Sequence, residues 1–209
     1  MSDSYVINEK RELILQRVKD HIYKNGGVVK KNQLNELGID YRRILDFVEK
    51  GDLVRIKSGY YTVRISDFSE DELVATLFPD AVLNLENALY SYGYLAQKPY
   101  GWKLSVDKNT SKSRFKLDFP QVIPLYAEPE TLQLGVTKIP IGNTEMQIFE
   151  KERLICECLK YEDKMERELF KEGLLAFIRD PKKDVAKLMK YARDRRVVKK
   201  VQTMIGVWL

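Results

Sequence analysis

The sequence predicts an α+β protein, in which an N-terminal winged helix-turn-helix is followed by a mixed α/β domain with a helical C-terminal end. Three helical periodicities and a basic two-stranded ribbon fall within about the first sixty residues. Strand-like and helical segments then mix, and from Lys151 onward the pattern is helical throughout. We place the domains at residues 1–66 and 67–209.

The first helix is predicted from about residue 9, with apolar residues at Ile14, Val18 and Ile22 and a Gly-Gly stop after it. A short second helix in "KKNQLNELGI" ends at Gly38. Asp40 is placed to cap a third helix. The apolar positions of that helix follow an i, i+3, i+4, i+7 pattern and predict its buried face: Tyr41, Ile44, Leu45 and Val48.

The ribbon is predicted by "GDLVRIKSGYYTV", residues 51–63, in which a Ser-Gly turn separates two alternating runs. The alternation predicts one apolar face, with Val54 and Ile56, and one basic face, with Arg55 and Lys57. A basic ribbon directly after a third helix is typical of the wing of a winged helix.

A winged helix places its third helix in the major groove of DNA and its wing against phosphates or the minor groove. Arginine forks read guanine edges, so Arg42 and Arg43 are the candidates for base contacts. The candidates for contacts to the DNA backbone are Arg55, Lys57, Lys30 and Lys31, and Tyr41 is either buried or hydrogen-bonded to a phosphate. Two alternatives stay open: Arg42 pairs with Asp46 on a solvated face, or the winged helix binds protein.

The second domain begins after a polar hinge, "SDFSEDE", in which Ser69 and Glu72 form a capping-box pattern. A helix ending at Gly93 precedes four predicted strands, "WKLSV", "QVIPLYA", "TLQLGVTKIPI" and "EMQIFE". The last two helices are predicted from an apolar stripe of Val185, Leu188, Met189, Ala192, Val197, Val198, Val201 and Ile205. Their exposed faces carry Lys183, Lys187, Lys190, Lys199 and Lys200.

Charge is distributed unevenly along the chain. Residues 1–64 hold 13 basic and 9 acidic residues, a net +4, whereas residues 181–209 hold 9 and 2, a net +7. The middle, with 14 basic and 20 acidic residues, is net −6. The two basic ends predict separate surfaces for anionic partners, or else solvated lysine-rich helices.

Composition excludes several classes of protein. No run of 18 apolar residues is present, and the first ten residues lack the basic-then-apolar pattern of an export signal. Cys156 and Cys158 lie two apart on a predicted helix, where their side chains diverge, so no disulfide between them is expected. We therefore expect a cytoplasmic protein with reduced thiols and no contact with membrane.

No catalytic, metal or cofactor site is expected. His21 falls near the edge of an apolar helix face and is predicted to be structural, and the cysteines lack further ligands for zinc. The strongest enzyme alternative is a metal-dependent nuclease built on the acidic and basic residues of "ERLICE". The residues of that candidate are Glu152, Arg153 and Glu157, with Asp80. A helical location and an i,i+4 pairing of Arg153 with Glu157 argue against it.

Three motifs, in order and spacing, resemble the AbiEi family of antitoxins from type IV toxin-antitoxin (abortive infection) systems. They are "GDLVRIKSGYYTV", then "ENALYSYGY", then "FEKERLICECL", and the resemblance spans nearly the whole chain. Family members usually carry Asp where this sequence has Glu157.

The resemblance implies an N-terminal winged helix that represses its own operon. It also implies a C-terminal domain that neutralises a nucleotidyltransferase-like toxin without forming a stable complex. We expect double-stranded promoter DNA with inverted repeats as the ligand of the winged helix, bound by two copies. The alternative is a winged-helix regulator whose second domain senses a ligand or mediates assembly.

Overall fold

A computed structural model describes residues 2–142 and 144–206, with side chains from residue 8 onward. The chain divides into two compact units. The first unit comprises the chain up to Pro79 together with Leu117–Pro120 and Pro140–Glu145. The second unit comprises Asp80–Lys116, Gln121–Ile139 and the chain from Met146 onward.

The first unit is a winged helix-turn-helix, as predicted. Its elements are α1 (Ser2–Lys24), β1 (Val29–Lys30), α2 (Lys31–Glu36), α3 (Tyr41–Glu49), β2 (Val54–Lys57), β3 (Tyr60–Thr62) and α4 (Glu70–Leu77). The three strands form an antiparallel sheet in the order β1-β3-β2. The first helix begins at Ser2 and not near residue 9, and Lys30, predicted on a helix, lies on β1.

The core of this unit is formed by one face of each helix and by β3. On α3 the buried residues are Ile44 and Phe47, whereas Tyr41 and Leu45 are exposed. The predicted buried face of α3 was therefore wrong at Tyr41 and Leu45, and it missed Phe47. Burying Phe47 leaves no polar group without a partner, whereas the Tyr41 hydroxyl would need one.

The wing departs from the predicted alternation. The pairing of β2 with β3 shifts register between Arg55 and Lys57, so an extra residue is accommodated on β2. As a result Val54 is exposed, and both Ile56 and Lys57 are half-buried. The prediction of one fully apolar and one fully basic face was wrong for this strand.

The segment that follows the wing packs on α1. The rings of Tyr23 and Phe68 lie 5.2 Å apart, and the Thr76 hydroxyl donates to the carbonyl of Gly26 at 3.0 Å. Gly27 has a φ of +85°, and a Cβ there would lie 2.4 Å from the Phe68 ring. These contacts join the segment to the winged helix, while the domain boundary after residue 66 stays a prediction.

The second unit combines a mixed sheet with a helical C-terminal end. Its elements are β4 (Val82–Leu83), α5 (Leu85–Ser91), β5 (Trp102–Asp107), β6 (Val122–Ala127), α6 (Pro129–Gln133), β7 (Val136–Ile141), β8 (Thr144–Phe149), α7 (Lys151–Lys160), α8 (Arg167–Arg179), α9 (Val185–Asp194) and α10 (Val198–Met204). The sheet order is β6-β5-β4-β8-β7. Strand β4 is antiparallel to β5 and parallel to β8, and β5 is parallel to β6.

Most of the predicted elements of this unit are present. The start of "TLQLGVTKIPI" is the exception, because its first three residues belong to α6, where Pro129 in the first turn favours a helix. The two-residue strand β4 was not predicted. On the C-terminal stripe, Leu188, Ala192 and Val201 are buried as expected, but Val185 is exposed.

Helix α7 is enclosed by its neighbours. Every residue from Glu152 to Leu159 is buried, and the helix packs on α5, α8, α9 and α10. Cys156 and Cys158 are free thiols within this helix. Burial raises the pKa of Cys156 to about 12 and that of Cys158 well above its usual value, so both thiols stay protonated at neutral pH.

Within the described part of the chain, no helix is both long enough and apolar enough to cross a bilayer.

Candidate nucleic-acid interface

The start of α3 is fixed by local hydrogen bonding. The Asp40 side chain accepts from the backbone N–H of Arg43 at 2.9 Å, and Gly38, with a φ of +77°, makes the preceding turn. The cap was predicted from the sequence. It places Tyr41, Arg42 and Arg43 in the first helical turn, from which a third helix usually contacts DNA bases.

The first-turn arginines are not held by the carboxylate that follows them. Asp46 accepts from Arg11 Nε at 2.9 Å and from Lys50 Nζ at 2.7 Å, and these hydrogen bonds, that to Lys50 foremost, lower its pKa. Among the described residues, neither Arg42 nor Arg43 forms a side-chain ion pair. The alternative in which Arg42 pairs with Asp46 is therefore wrong for this structure.

A concavity of about 480 Å³ lies between α1 and α3. It is lined by Lys10, Arg11, Ile14, Asp40, Arg42, Arg43, Asp46 and Lys50. Five of these eight side chains are cationic and two are anionic. The positive excess beside α3 provides the kind of charge that attracts a phosphate backbone.

A second group of the predicted residues lies around two tyrosines. Lys31 Nζ is 4.4 Å from the centre of the Tyr41 ring. Lys30 and Lys57 lie on the two strands that flank Tyr60, at 5.8 and 4.3 Å from the centre of its ring. The structure therefore brings Lys30 and Lys57 together on the sheet around Tyr60, a residue that was not among those predicted to contact DNA. Its position opposite Lys57 in the ribbon was the available signal.

The last predicted residue, Arg55, lies opposite Tyr61 on β3. Arg55 is exposed, whereas Tyr61 is buried and burial raises its pKa. The Arg55 side chain is therefore accessible to a ligand on the wing. The seven candidates for DNA contacts divide into Arg42 and Arg43 beside the α1–α3 concavity and the other five on α2, the sheet and the tip of α3.

The C-terminal lysines do not form one uniform surface. Lys187 pairs with Glu150 at 2.9 Å, and Lys200 pairs with Glu162 at 2.9 Å while donating to the Leu159 carbonyl at 2.7 Å. These two lysines link helices within the second unit. Three lysines form no ion pair with any described residue: Lys183, Lys190 and Lys199.

The residues of the nuclease alternative are used structurally. Glu157 accepts from the buried Arg153 and, at 2.5 Å, from Arg195 Nε. Glu152 accepts from the backbone N–H of Asp184 at 2.9 Å. The side chains of Glu152, Arg153 and Glu157 are buried in α7 and are already hydrogen-bonded within the protein.

The remaining candidates for chemistry lie apart from these. Asp80 forms an exposed ion pair with Arg114. His21 is half-buried on α1, and its Nε2 has no hydrogen-bond partner among the described residues. The part of the chain that the structure describes holds no group of three or more His, Cys, Asp or Glu residues placed to bind a metal ion.

Residues 16–64 match a family model described as transcriptional regulator, AbiEi antitoxin. The matched range runs from the middle of α1 to the end of the wing, and it confirms the resemblance to AbiEi proteins over the winged helix. The description is that of a transcriptional regulator and antitoxin, and it names no class of enzyme. Among curated proteins no match to the chain was found.

Proposed function

We propose that this AbiEi-like protein is the antitoxin of a type IV toxin-antitoxin system and represses its own operon. In this proposal the winged helix binds inverted repeats in promoter DNA. The second unit neutralises a nucleotidyltransferase-like toxin without a stable complex. The family match over residues 16–64 carries the proposal, and the cationic surface of α3 and the wing supports it.

The geometry favours different roles for the two groups of cationic residues. Arg42 is exposed and unpaired within the described chain at the N-terminal end of α3, where a planar fork reaches guanine O6 and N7. Lys57 and Lys30 lie on the sheet, where an ammonium group meets phosphates as a point charge. Base contacts confer sequence preference, whereas phosphate contacts confer affinity for any duplex.

The first prediction follows from this division. Replacing Arg42 or Arg43 with Ala should weaken binding to the operator by about 1–3 kcal/mol and erode the preference over random DNA. Lys57→Ala should weaken binding to both duplexes and reduce the salt slope of affinity by about one. Fluorescence anisotropy at several salt concentrations, on operator and random duplexes, measures both quantities.

Lys24→Ala is the matched control for the DNA measurements. Lys24 is exposed in the last turn of α1 and belongs to neither group of candidate DNA contacts. Its loss should therefore leave the preference for the operator over random DNA unchanged. Equal losses on operator and random DNA from Arg42→Ala and Arg43→Ala would remove base readout from α3.

The second prediction concerns neutralisation of the toxin. Replacing Lys183, Lys190 and Lys199 with Glu should abolish the growth rescue of cells that express the cognate toxin, if the basic end of the chain takes part in neutralisation. Lys187 and Lys200 are left in place, because their ion pairs link helices.

The measurement is co-expression of the toxin with the full-length triple variant, at matched protein level and melting temperature. Arg42→Ala should keep the rescue while losing repression of a promoter fusion. Full rescue by the triple variant would show that the basic end has no part in neutralisation.

One observation favours the second candidate function, a winged-helix regulator with a ligand-sensing domain. The second unit contains a concavity lined by five cations among six residues, and an adjoining one lined by four cations and two carboxylates among ten residues. An adjacent nucleotidyltransferase gene is expected for the antitoxin and not for such a regulator.

A further inference from the structure

Two adjoining concavities in the second unit share Lys160, Arg195 and Arg196. The smaller one measures about 290 Å³ and is lined by these three residues together with Val197, Lys199 and Lys200. Five of its six lining residues are cationic, and none is a carboxylate. Lys200 is paired with Glu162 and Arg195 with Glu157. The other three cations, Lys160, Arg196 and Lys199, form no ion pair with any described residue.

The larger concavity, of about 340 Å³, is lined by groups of a different kind. Tyr126, Tyr161 and Thr131 contribute to its wall together with two carboxylates, Glu128, which is paired with Lys108 at 2.6 Å, and Asp194. Its volume falls within the range of small-molecule sites. A cation-lined space therefore adjoins a space with aromatic and hydroxyl groups.

Arg195, which lines both concavities, is fixed by a hydrogen bond to a buried carboxylate. Arg195 is only 6 % exposed, and its Nε donates to Glu157 at 2.5 Å. Glu157 is itself held by the buried Arg153. A guanidinium fixed in this way loses little conformational freedom when it binds an oxyanion.

The positive charges around Lys160 affect its protonation. The pKa of Lys160 is lowered by partial burial and then by the positive charge of Arg195. An anion between the two side chains would offset that repulsion.

Arg196 contributes a further cation to both concavities from a backbone position at which glycine is the usual residue. It has a φ of +59° and occupies the position just after α9 that glycine generally fills. The backbone there directs an exposed guanidinium to the rim that both concavities share.

We infer that these two concavities bind the phosphate groups of a nucleotide, with Arg195, Arg196 and Lys160 holding the phosphates. The nucleotide is either free or the phosphorylated end of an RNA strand, since both present the same terminal phosphate chemistry. Arginine and lysine together are the usual donors to such groups. The inference does not rest on DNA binding by α3.

The test is a titration of the full-length protein by isothermal calorimetry with ATP, pyrophosphate and adenosine. ATP and pyrophosphate should bind, adenosine should not, and added NaCl should weaken the binding. A second experiment compares the affinities of two RNA oligonucleotides of the same sequence, one with a 5′-phosphate and one with a 5′-hydroxyl. Because the strands are otherwise identical, any difference in affinity is due to the terminal phosphate. Tighter binding of the phosphorylated strand without binding of ATP would identify the strand end as the source.

Variants locate the site. Arg196→Gln and Lys160→Gln should each weaken phosphate binding by about tenfold or more, whereas Arg196→Lys should retain most of it. The matched control is Arg193→Gln, because Arg193 is exposed on α9 and lines neither concavity. The inference is overturned if no phosphate probe binds, if adenosine binds as well as ATP, or if Arg193→Gln weakens binding as much as Arg196→Gln.

Discussion

A single carboxylate holds two buried arginines in the second unit. Glu157 accepts from both Arg153 and Arg195, and all three side chains are at most 6 % exposed. The Arg153 guanidinium also lies 4.4 Å from the Phe149 ring and donates to the Thr131 carbonyl at 3.3 Å. Removing one member of such a set leaves charge in a place that water does not reach.

Glu157→Gln should therefore be strongly destabilising. Both guanidinium groups would lose their counter-charge, and we expect the free energy of unfolding to fall by about 3–5 kcal/mol. Urea denaturation followed by tryptophan fluorescence measures this, because Trp102 lies on β5 in the same unit. Glu157→Asp keeps the charge and should cost less; equal losses from Asp and Gln would assign the effect to geometry and not to charge.

The end of α9 shows a hydrogen-bond pattern that usually contains glycine. The N–H of Arg196 donates to the Arg193 carbonyl at 3.1 Å, and the N–H of Val197 donates to the Ala192 carbonyl at 2.9 Å. This is a Schellman motif, and Val197, the residue after the left-handed position, is buried. Arg196 adopts the left-handed conformation in it, which is unfavourable for a residue with a Cβ.

Arg196→Gly should consequently raise the stability of the second unit by up to about 1 kcal/mol, because glycine adopts this conformation without steric cost. Arg193→Gly is the matched control: the same change inside the last turn of α9 should lower stability by about 1 kcal/mol. Thermal unfolding of the two variants measures the difference. A fall in melting temperature for both would show that the left-handed residue is not strained.

The elements that the sequence predicted well are those with local signals. Asp40 before an apolar stripe, Ser69 with Glu72, and the glycines after helices act within a few residues, and each is found where expected. The buried side of α3, the bulge on β2 and strand β4 depend on neighbours distant in sequence. No periodicity within the segment specifies those neighbours.

In the candidate site, too, features set by neighbouring residues could be predicted, whereas features set by residues distant in sequence could not. The first-turn position of Arg42 and Arg43 could be predicted because it depends on a cap. The pairing of Asp46 with Arg11, and of Lys187 with Glu150, could not, since each joins residues more than thirty positions apart. Tertiary contacts therefore decided which cationic side chains are left for a ligand.

A single winged helix contacts a short stretch of DNA, so specific binding calls for more than one copy of the molecule. We expect two copies on an inverted repeat, with half-site centres about one helical turn or a multiple apart. Analytical ultracentrifugation with labelled operator should give two chains per duplex, and changing the spacing by half a turn should abolish tight binding. Full affinity for one isolated half-site would contradict this arrangement.

The ion pairs of Asp46 have a genetic consequence. Arg11 and Lys50 occupy this carboxylate, which stands one helical turn after Arg42. A substitution of Arg11 would leave Asp46 freer to approach Arg42 and compete with DNA for it. Under the proposed autorepression, a selection for mutants that express the operon constitutively would then recover changes at Arg11, a residue on another helix, along with changes at the arginines of α3.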